Sequence, residues 1–168
     1  MSNLGLSKLI TTYPKGDDGN YSPAVQDYLR VIYEMTAAES VAGTVSTSRL
    51  AGRLAVRPAS VTVMLQKMAA ADPALVEYHK SRGARLTAAG EAAALEVVRC
   101  HRLLETYLHE VFGFGRDEAH DEADRLEHGV SPAMTERIAD ALGHPTHTPD
   151  GDPIPGTNEP RINIDKAD

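Results

Sequence analysis

Asp124, Glu127 and His128 lie four, seven and eight residues after His120, and His101 and Glu105 repeat the spacing of four one segment earlier. In an α-helix, residues three and four apart share a face. The spacing therefore predicts that these six side chains converge from two neighbouring helices. Imidazole nitrogen and carboxylate oxygen suit Mn²⁺, Fe²⁺, Co²⁺, Ni²⁺ and Zn²⁺, and no thiolate at these helical positions favours a softer ion. Crowded carboxylates raise one another's pKa, and a divalent cation relieves that repulsion. Its binding then couples to folding or to domain position. Zinc prefers four ligands in closed sites, whereas six or seven donors can fill a larger shell or hold two neighbouring ions. A single Glu/His pair at this spacing is more often solvated surface, and His109, His144 and His147 are read that way. His79 reads as surface or DNA-proximal, and Cys100 as a small core or interface residue. The six residues together point to a divalent-metal sensor.

Elements that could position them are visible along the chain. Thr87 can cap a long helix over residues 88–111. Its apolar residues Leu95, Val98, Leu103, Leu104, Tyr107, Leu108 and Val111 make a face wide enough for its own domain and a second subunit. Residues 116–129 are expected as one helix. Ser131 then caps a last helix with Met134, Ile138, Ala141 and Leu142 inward and Gly143 as its stop.

Upstream, residues 1–21 read as a flexible arm, and Ser22-Pro23 opens a helix to about Ala38. Val25, Tyr28, Leu29, Ile32, Tyr33 and Met35 fall at helical spacing, with Asp27 and Arg30 beside that stripe. Ser46 can cap a short helix carrying Leu50, Ala51 and Leu54 inward. After a break at residues 55–57, Pro58 opens another, with Val61, Leu65 and Met68 inward. Two short helices joined by so short a turn have helix-turn-helix spacing. Residues 75–80 and 84–87 then read as a hairpin around a turn at 81–83, which makes a wing. Ser46, Ser48, Arg57, Pro58, Ala59, Ser60, Thr62 and Lys67 are the candidate DNA-facing residues. Lys80, Arg82 and Arg85 are expected near the wing tip, against the phosphate backbone.

Charge divides the chain the same way. The net charge of −7 argues against a nucleic-acid partner until it is split. Residues 44–90 hold seven Lys/Arg against two Asp/Glu, a net +5, and residues 91–152 hold five against fourteen, a net −9. A basic part that can meet phosphates is followed by an acidic part that can hold cations. No apolar run reaches the ~18 residues of a membrane span. The N-terminus lacks the pattern of a signal peptide, and the single cysteine fits a reducing cytoplasm. The expected organisation is mainly α: a winged-helix domain over 22–90, a helical metal-binding and dimerisation domain over 91–143, and a linker or irregular tail over 144–168.

Several segments resemble the diphtheria-toxin-repressor and manganese-transport-repressor family of metal-dependent transcriptional regulators. They are Asp27-Tyr-Leu-Arg-Val-Ile-Tyr33-Glu, Pro58-Ala-Ser-Val-Thr62, His101-Arg-Leu-Leu-Glu105, His120-Asp-Glu-Ala-Asp-Arg-Leu-Glu127-His128 and Asp152-Pro-Ile-Pro-Gly156. The resemblance implies a homodimer on a palindromic double-stranded operator, favoured by metal and repressing metal uptake. It also implies a primary site of Asp27, Asp124, Glu127 and His128 and an ancillary site of His101, Glu105 and His120. Asp27 resembles the carboxylate of manganese-responsive members, and Asp124 replaces the Cys of the iron-responsive branch. Mn²⁺ is thus expected first and Fe²⁺ second, other divalent transition metals being possible in vitro. Arg30 departs from the family pattern, since it stands where manganese regulators can offer a second N-terminal carboxylate. The SH3-like third domain of many members is expected to be absent. The rival readings are a metal-independent winged-helix regulator and a two-metal enzyme on a helical bundle. No Ser/His/Asp arrangement or Gly-rich phosphate loop supports the enzyme.

Overall fold

Periodic apolar spacing becomes six α-helices and one hairpin in the computed structural model, which describes residues 21–38 and 43–156. The expected arm up to residue 20, and the tail beyond Gly156, lie outside the described residues. Helix α1 (Pro23–Ala38) buries Val25, Tyr28, Leu29, Val31 and Ile32. Helix α2 (Thr47–Arg53) starts where Ser46 Oγ accepts the Arg49 N–H at 3.4 Å. Helix α3 (Pro58–Ala69) has Pro58 in its first turn, where the missing N–H costs no hydrogen bond. It turns Val61, Leu65 and Met68 inward, as their spacing predicts.

Strands β1 (Val76–His79) and β2 (Gly83–Leu86) pair antiparallel, with Val76 opposite Leu86 and His79 opposite Gly83. The wing is also tied to the chain before α2, because Val45 and Ala84 exchange backbone hydrogen bonds of 2.7 and 2.9 Å. Gly83 permits that approach. Its φ is +92°, and a Cβ there would lie 2.3 Å from the Val45 carbonyl oxygen.

Helix α4 (Ala88–Glu110) begins at the Thr87 cap and is roughly 34 Å long at 1.5 Å per residue. It joins two cores. Ala93 and Ala94 pack with the α1–α3 and hairpin residues, while Leu103, Leu104 and Leu108 pack with Ala119, Ala123, Ile138, Ala139 and Ile154. The fold is therefore a winged-helix unit followed by a helical domain, with α4 common to both.

Four expectations shift in the second half. The helix expected over 116–129 is α5 (Arg116–Leu126) followed by a 3₁₀ turn (Glu127–Gly129). In α6 (Pro132–Ala141), Met134 is exposed and Ala141 faces outward, and Thr135 and Ala139 take the inward places beside Ile138. Residues 135, 138, 139 and 142 make the stripe that packs on α4, and 134 and 141 fall at its edge. Val111 lies beyond α4 and is exposed. The first part of the expected tail packs against the helical domain: Thr148 and Ile154 are buried, and Arg99 and Arg102 donate to the carbonyls of Pro155 and Pro153.

Gly90 offers a test of how α4 is seated. A Cβ there would lie 1.8 Å from the Leu75 carbonyl oxygen. Gly90→Ala is expected to destabilise the fold by about 3 kcal/mol, as overpacking against backbone does, read as a lowered midpoint of urea denaturation with the slope unchanged.

Candidate metal centre

The seven candidate ligands come together from three places: Asp27 on α1, His101 and Glu105 on α4, and His120, Asp124, Glu127 and His128 on α5 and its 3₁₀ extension. They do not form one face. A 3₁₀ turn advances about 120° per residue against 100° in an α-helix, so the last residues swing away from the α5 stripe. His101, His120 and Asp124 form one group, and Asp27, Glu127 and His128 another, with donor atoms inside each group all within 4.8 Å of one another.

In the first group the His101 and His120 rings meet edge to face, 4.9 Å between centroids, with His101 Nε2 3.2 Å from His120 Nδ1. Asp124 Oδ1 lies 3.4 Å from His101 Nδ1, and Glu105 Oε1 lies 3.4 Å from His120 Nδ1. In the second group His128 Nε2 is 3.2 Å from Asp27 Oδ1 and 3.8 Å from Glu127 Oε1. The two groups touch where Glu127 Oε2 meets His101 Nδ1 at 2.8 Å.

Glu127 is the decisive residue. Its side chain is 1% exposed, and its Oε1 has no hydrogen-bond partner among the described residues. A carboxylate oxygen removed from water without a donor is costly unless a cation faces it. Asp27 is affected as well: burial pushes its carboxyl above the usual value, Glu127 and Asp124 add to that, and His128 and Arg30 oppose it. All the donors in the second group are oxygen or nitrogen, which fits a hard to borderline divalent ion.

One residue here escaped the sequence reading, and another enters in a role the sequence did not assign. Gln26 is buried on α1. Its Nε2 donates to the Tyr21 carbonyl at 2.6 Å, so its Oε1 faces His128 Nδ1 at 3.0 Å. Nδ1 is then the donor in that contact, and Nε2 is the ring nitrogen turned toward Asp27 and Glu127, where a metal ligand would be needed. A polar residue on the apolar stripe, next to Asp27, was the available signal. Arg30 is the other. It donates to Asp124 Oδ1 at 2.8 Å and stands 3.6 Å from Glu127 Oε1. Cys100 stays outside the site: burial pushes its thiol up, and its Sγ faces the Glu127 backbone carbonyl at 4.0 Å.

Residues 20–84 match the N-terminal DNA-binding domain of iron dependent repressors, and residues 87–156 match their metal binding and dimerisation domain. The chain belongs to the iron-dependent repressor family. It is 34% identical to the diphtheria toxin repressor of Corynebacterium glutamicum over 84% of this chain and 59% of that protein. It is 32% identical to the HTH-type transcriptional regulator MntR of Oceanobacillus iheyensis over 73% of this chain and 80% of that one. A solved manganese-dependent transcriptional repressor, in complex with manganese, superposes with a TM-score of 0.70 at 45% identity, covering 79% of this chain and 59% of that chain. The chain thus spans a little under three fifths of the length of that diphtheria toxin repressor and of that solved repressor.

In the DNA-binding half, Arg57, Pro58, Ala59, Ser60 and Lys67 are all exposed at the start and along the outer face of α3. Thr62 instead turns its hydroxyl back to the Pro58 carbonyl at 3.2 Å. Val63, missed in the sequence, is 50% exposed on the same face, beside Ser60 and Lys67. Ser46 and Ser48 lie 3.2 Å apart at the start of α2, both exposed. Lys80 and Arg82 stand in the wing turn, while Arg85 sits farther down β2, paired with Glu77 at 2.7 Å.

The raised pKa of Asp27 has a testable sign. Its folded value lies above the unfolded one, so its ionisation opposes folding at neutral pH, and that cost disappears below the unfolded value. Asp27→Asn is therefore expected to raise the melting temperature of chelator-treated protein at pH 7. The same change should shrink the increment gained on adding Mn²⁺, both read by differential scanning calorimetry.

Proposed function

We propose that this chain is a metal-dependent transcriptional repressor. In this reading it holds Mn²⁺, with Fe²⁺ the second choice, and binds a palindromic double-stranded operator as a cytoplasmic homodimer. It acts as a regulator and not an enzyme, with metal-uptake genes as its targets. The observation that carries the reading is the Asp27, Glu127 and His128 group, which draws on both cores and includes a buried carboxylate oxygen without a donor. Asp27, Glu127 and His128 hold the ion, with Asp124 alongside, and His101, Glu105 and His120 form the ancillary group. The all-oxygen-and-nitrogen donor set supports manganese. So does the likeness to a repressor solved with manganese, and the iron-dependent repressor IdeR of Mycobacterium tuberculosis, 36% identical over 79% of this chain, keeps iron in second place.

A divalent ion bound there supplies two positive charges and a shell that neither core completes alone. Asp27 then fastens α1 to the turn after α5. Helix α1 carries α2 and α3 with it, because Val25, Leu29 and Ile32 share a core with Leu50, Val61 and Leu65. Restricting that movement favours one member of a pre-existing ensemble, with the two α3 helices of a dimer about 34 Å apart, one DNA turn. Val111, Phe112, Leu126 and Met134 leave apolar surface exposed on the helical domain, which supports a second copy as the neighbour. No described helix is long and apolar enough to cross a membrane.

The test begins with operator DNA selected from a random pool in the presence of Mn²⁺. Mn²⁺ is expected to tighten operator binding at least tenfold over chelator, on the order of 1.4 kcal/mol. Asp27→Ala should abolish most of that gain while leaving dimerisation, measured by sedimentation, nearly intact. Equal affinity in Mn²⁺ and in chelator would sink the reading. Arg82→Ala is expected to lower the slope of log affinity against log salt by about one, and an unchanged slope would remove the wing from the interface.

A further inference from the structure

Between the two donor groups stands a cation that the protein supplies itself. The Arg30 side chain is 11% exposed and reaches from α1 into the space bounded by Asp124, Glu127 and His101. Its Nη2 donates to Asp124 Oδ1 at 2.8 Å and lies 3.6 Å from Glu127 Oε1. Its Nη1 lies 3.3 and 3.4 Å from the two ring nitrogens of His101. The guanidinium therefore touches Asp124 and His101 of one group and Glu127 of the other. Its Nε is buried with no hydrogen-bond partner among the described residues, so the fork is placed by charge rather than by a full set of hydrogen bonds.

We propose that Arg30 is a resident counter-cation that occupies the position a second, bridged metal ion would need between Asp124, Glu127 and His101. The inference rests on the metal-regulator reading and adds to it that any ions held are isolated from one another. Two adjacent ions share carboxylates at a separation of about 4 Å, and Asp124 and Glu127 are the carboxylates available for sharing here. The guanidinium sits on both. It cannot lose its proton at any working pH, so a second divalent ion in that space would face a fixed positive charge at contact distance. Glu105 lies against His101 and His120, and the other three carboxylates, of Asp27, Asp124 and Glu127, are matched by one divalent ion and one guanidinium. The unpartnered Oε1 of Glu127 lies within reach of His128, which leaves the Asp27, Glu127 and His128 group as the place for the ion.

The experiment uses the full chain stripped with chelator, as wild type, Arg30→Gln and Arg30→Lys, with Mn²⁺ as the probe. Electron paramagnetic resonance counts the bound ions and separates isolated Mn²⁺ from a carboxylate-bridged pair, whose spins couple and give a distinct multiline signal. Wild type and Arg30→Lys are expected to show isolated ions only. Arg30→Gln is expected to bind one additional ion per chain with the coupled signal, and adding Asp124→Asn should remove it. A coupled pair in wild type or in Arg30→Lys overturns the proposal, as does an unchanged count and signal in Arg30→Gln. Should wild type bind no Mn²⁺, the metal-regulator reading fails. The Arg30 assignment is then judged on Arg30→Gln alone, where a gained ion upholds it and no gain overturns it. Circular dichroism of each variant guards the comparison. If Arg30→Gln does not fold, Arg30→Met, neutral and of similar length, takes its place with the same outcomes.

Discussion

A buried carboxylate governs this molecule. Glu127 is enclosed by α1, α4 and the 3₁₀ turn, and a charge in that position is tolerated only with cations and donors around it. His101 meets Oε2 at 2.8 Å, and Oε1, beside His128, has the Arg30 guanidinium at 3.6 Å but no hydrogen-bond donor among the described residues. The surroundings can be read as answers to the same demand: Gln26 sets the tautomer of His128, and Asp124 is drawn to the guanidinium. A site so arranged is pre-formed in its shape and short of positive charge, which is the condition for a cation to matter energetically.

The second constraint is that α4 belongs to both cores. Its first turns pack against the winged helix, and its last turns pack against α5 and α6. His101 stands in its middle, so α4 passes the site on its way between domains. Asp27 approaches from α1, on the DNA-binding side. An interaction across Asp27, Glu127 and His128 therefore acts at the joint, where a small change in the angle of α1 is carried to α3 through a close-packed core. In the proposed reading, that is the route by which an ion at this site would act on α3.

Much of this was legible in the chain. The apolar spacing of α1, α3 and α4, the caps at Ser46, Thr87 and Ser131, and Pro58 at a helix start all depend on local interactions within a few residues, and these appear where expected. The i, i+4 pairs His101/Glu105 and His120/Asp124 were legible for the same local reason, whereas Asp27 joins Glu127 and His128 only because α1 docks against the turn after α5. The inward face of α6 was not legible. Met134 is apolar like Ile138, and only the packing of α6 on α4 decides that Thr135 and Ala139 are the buried neighbours. Arg85 likewise looks like a free wing cation until the β1–β2 register sets it opposite Glu77.

By itself, then, the sequence determined the inventory: two charge-segregated halves, a winged helix, a helical domain, and a set of oxygen and nitrogen donors suited to a divalent ion. Local propensity and periodicity suffice for that. The tertiary structure alone decided how the donors are partitioned. Through the 3₁₀ turn, His128 and one oxygen of Glu127 come up to Asp27 on α1, while His120 and Asp124 group with His101 on α4 and Asp124 also takes the Arg30 guanidinium. Arg30 and Gln26, ordinary residues beside an apolar stripe in the sequence, enter the site because α1 docks there. Residues about 70 and 100 positions apart meet only through that packing, and no local pattern encodes which of them will stand between two carboxylates.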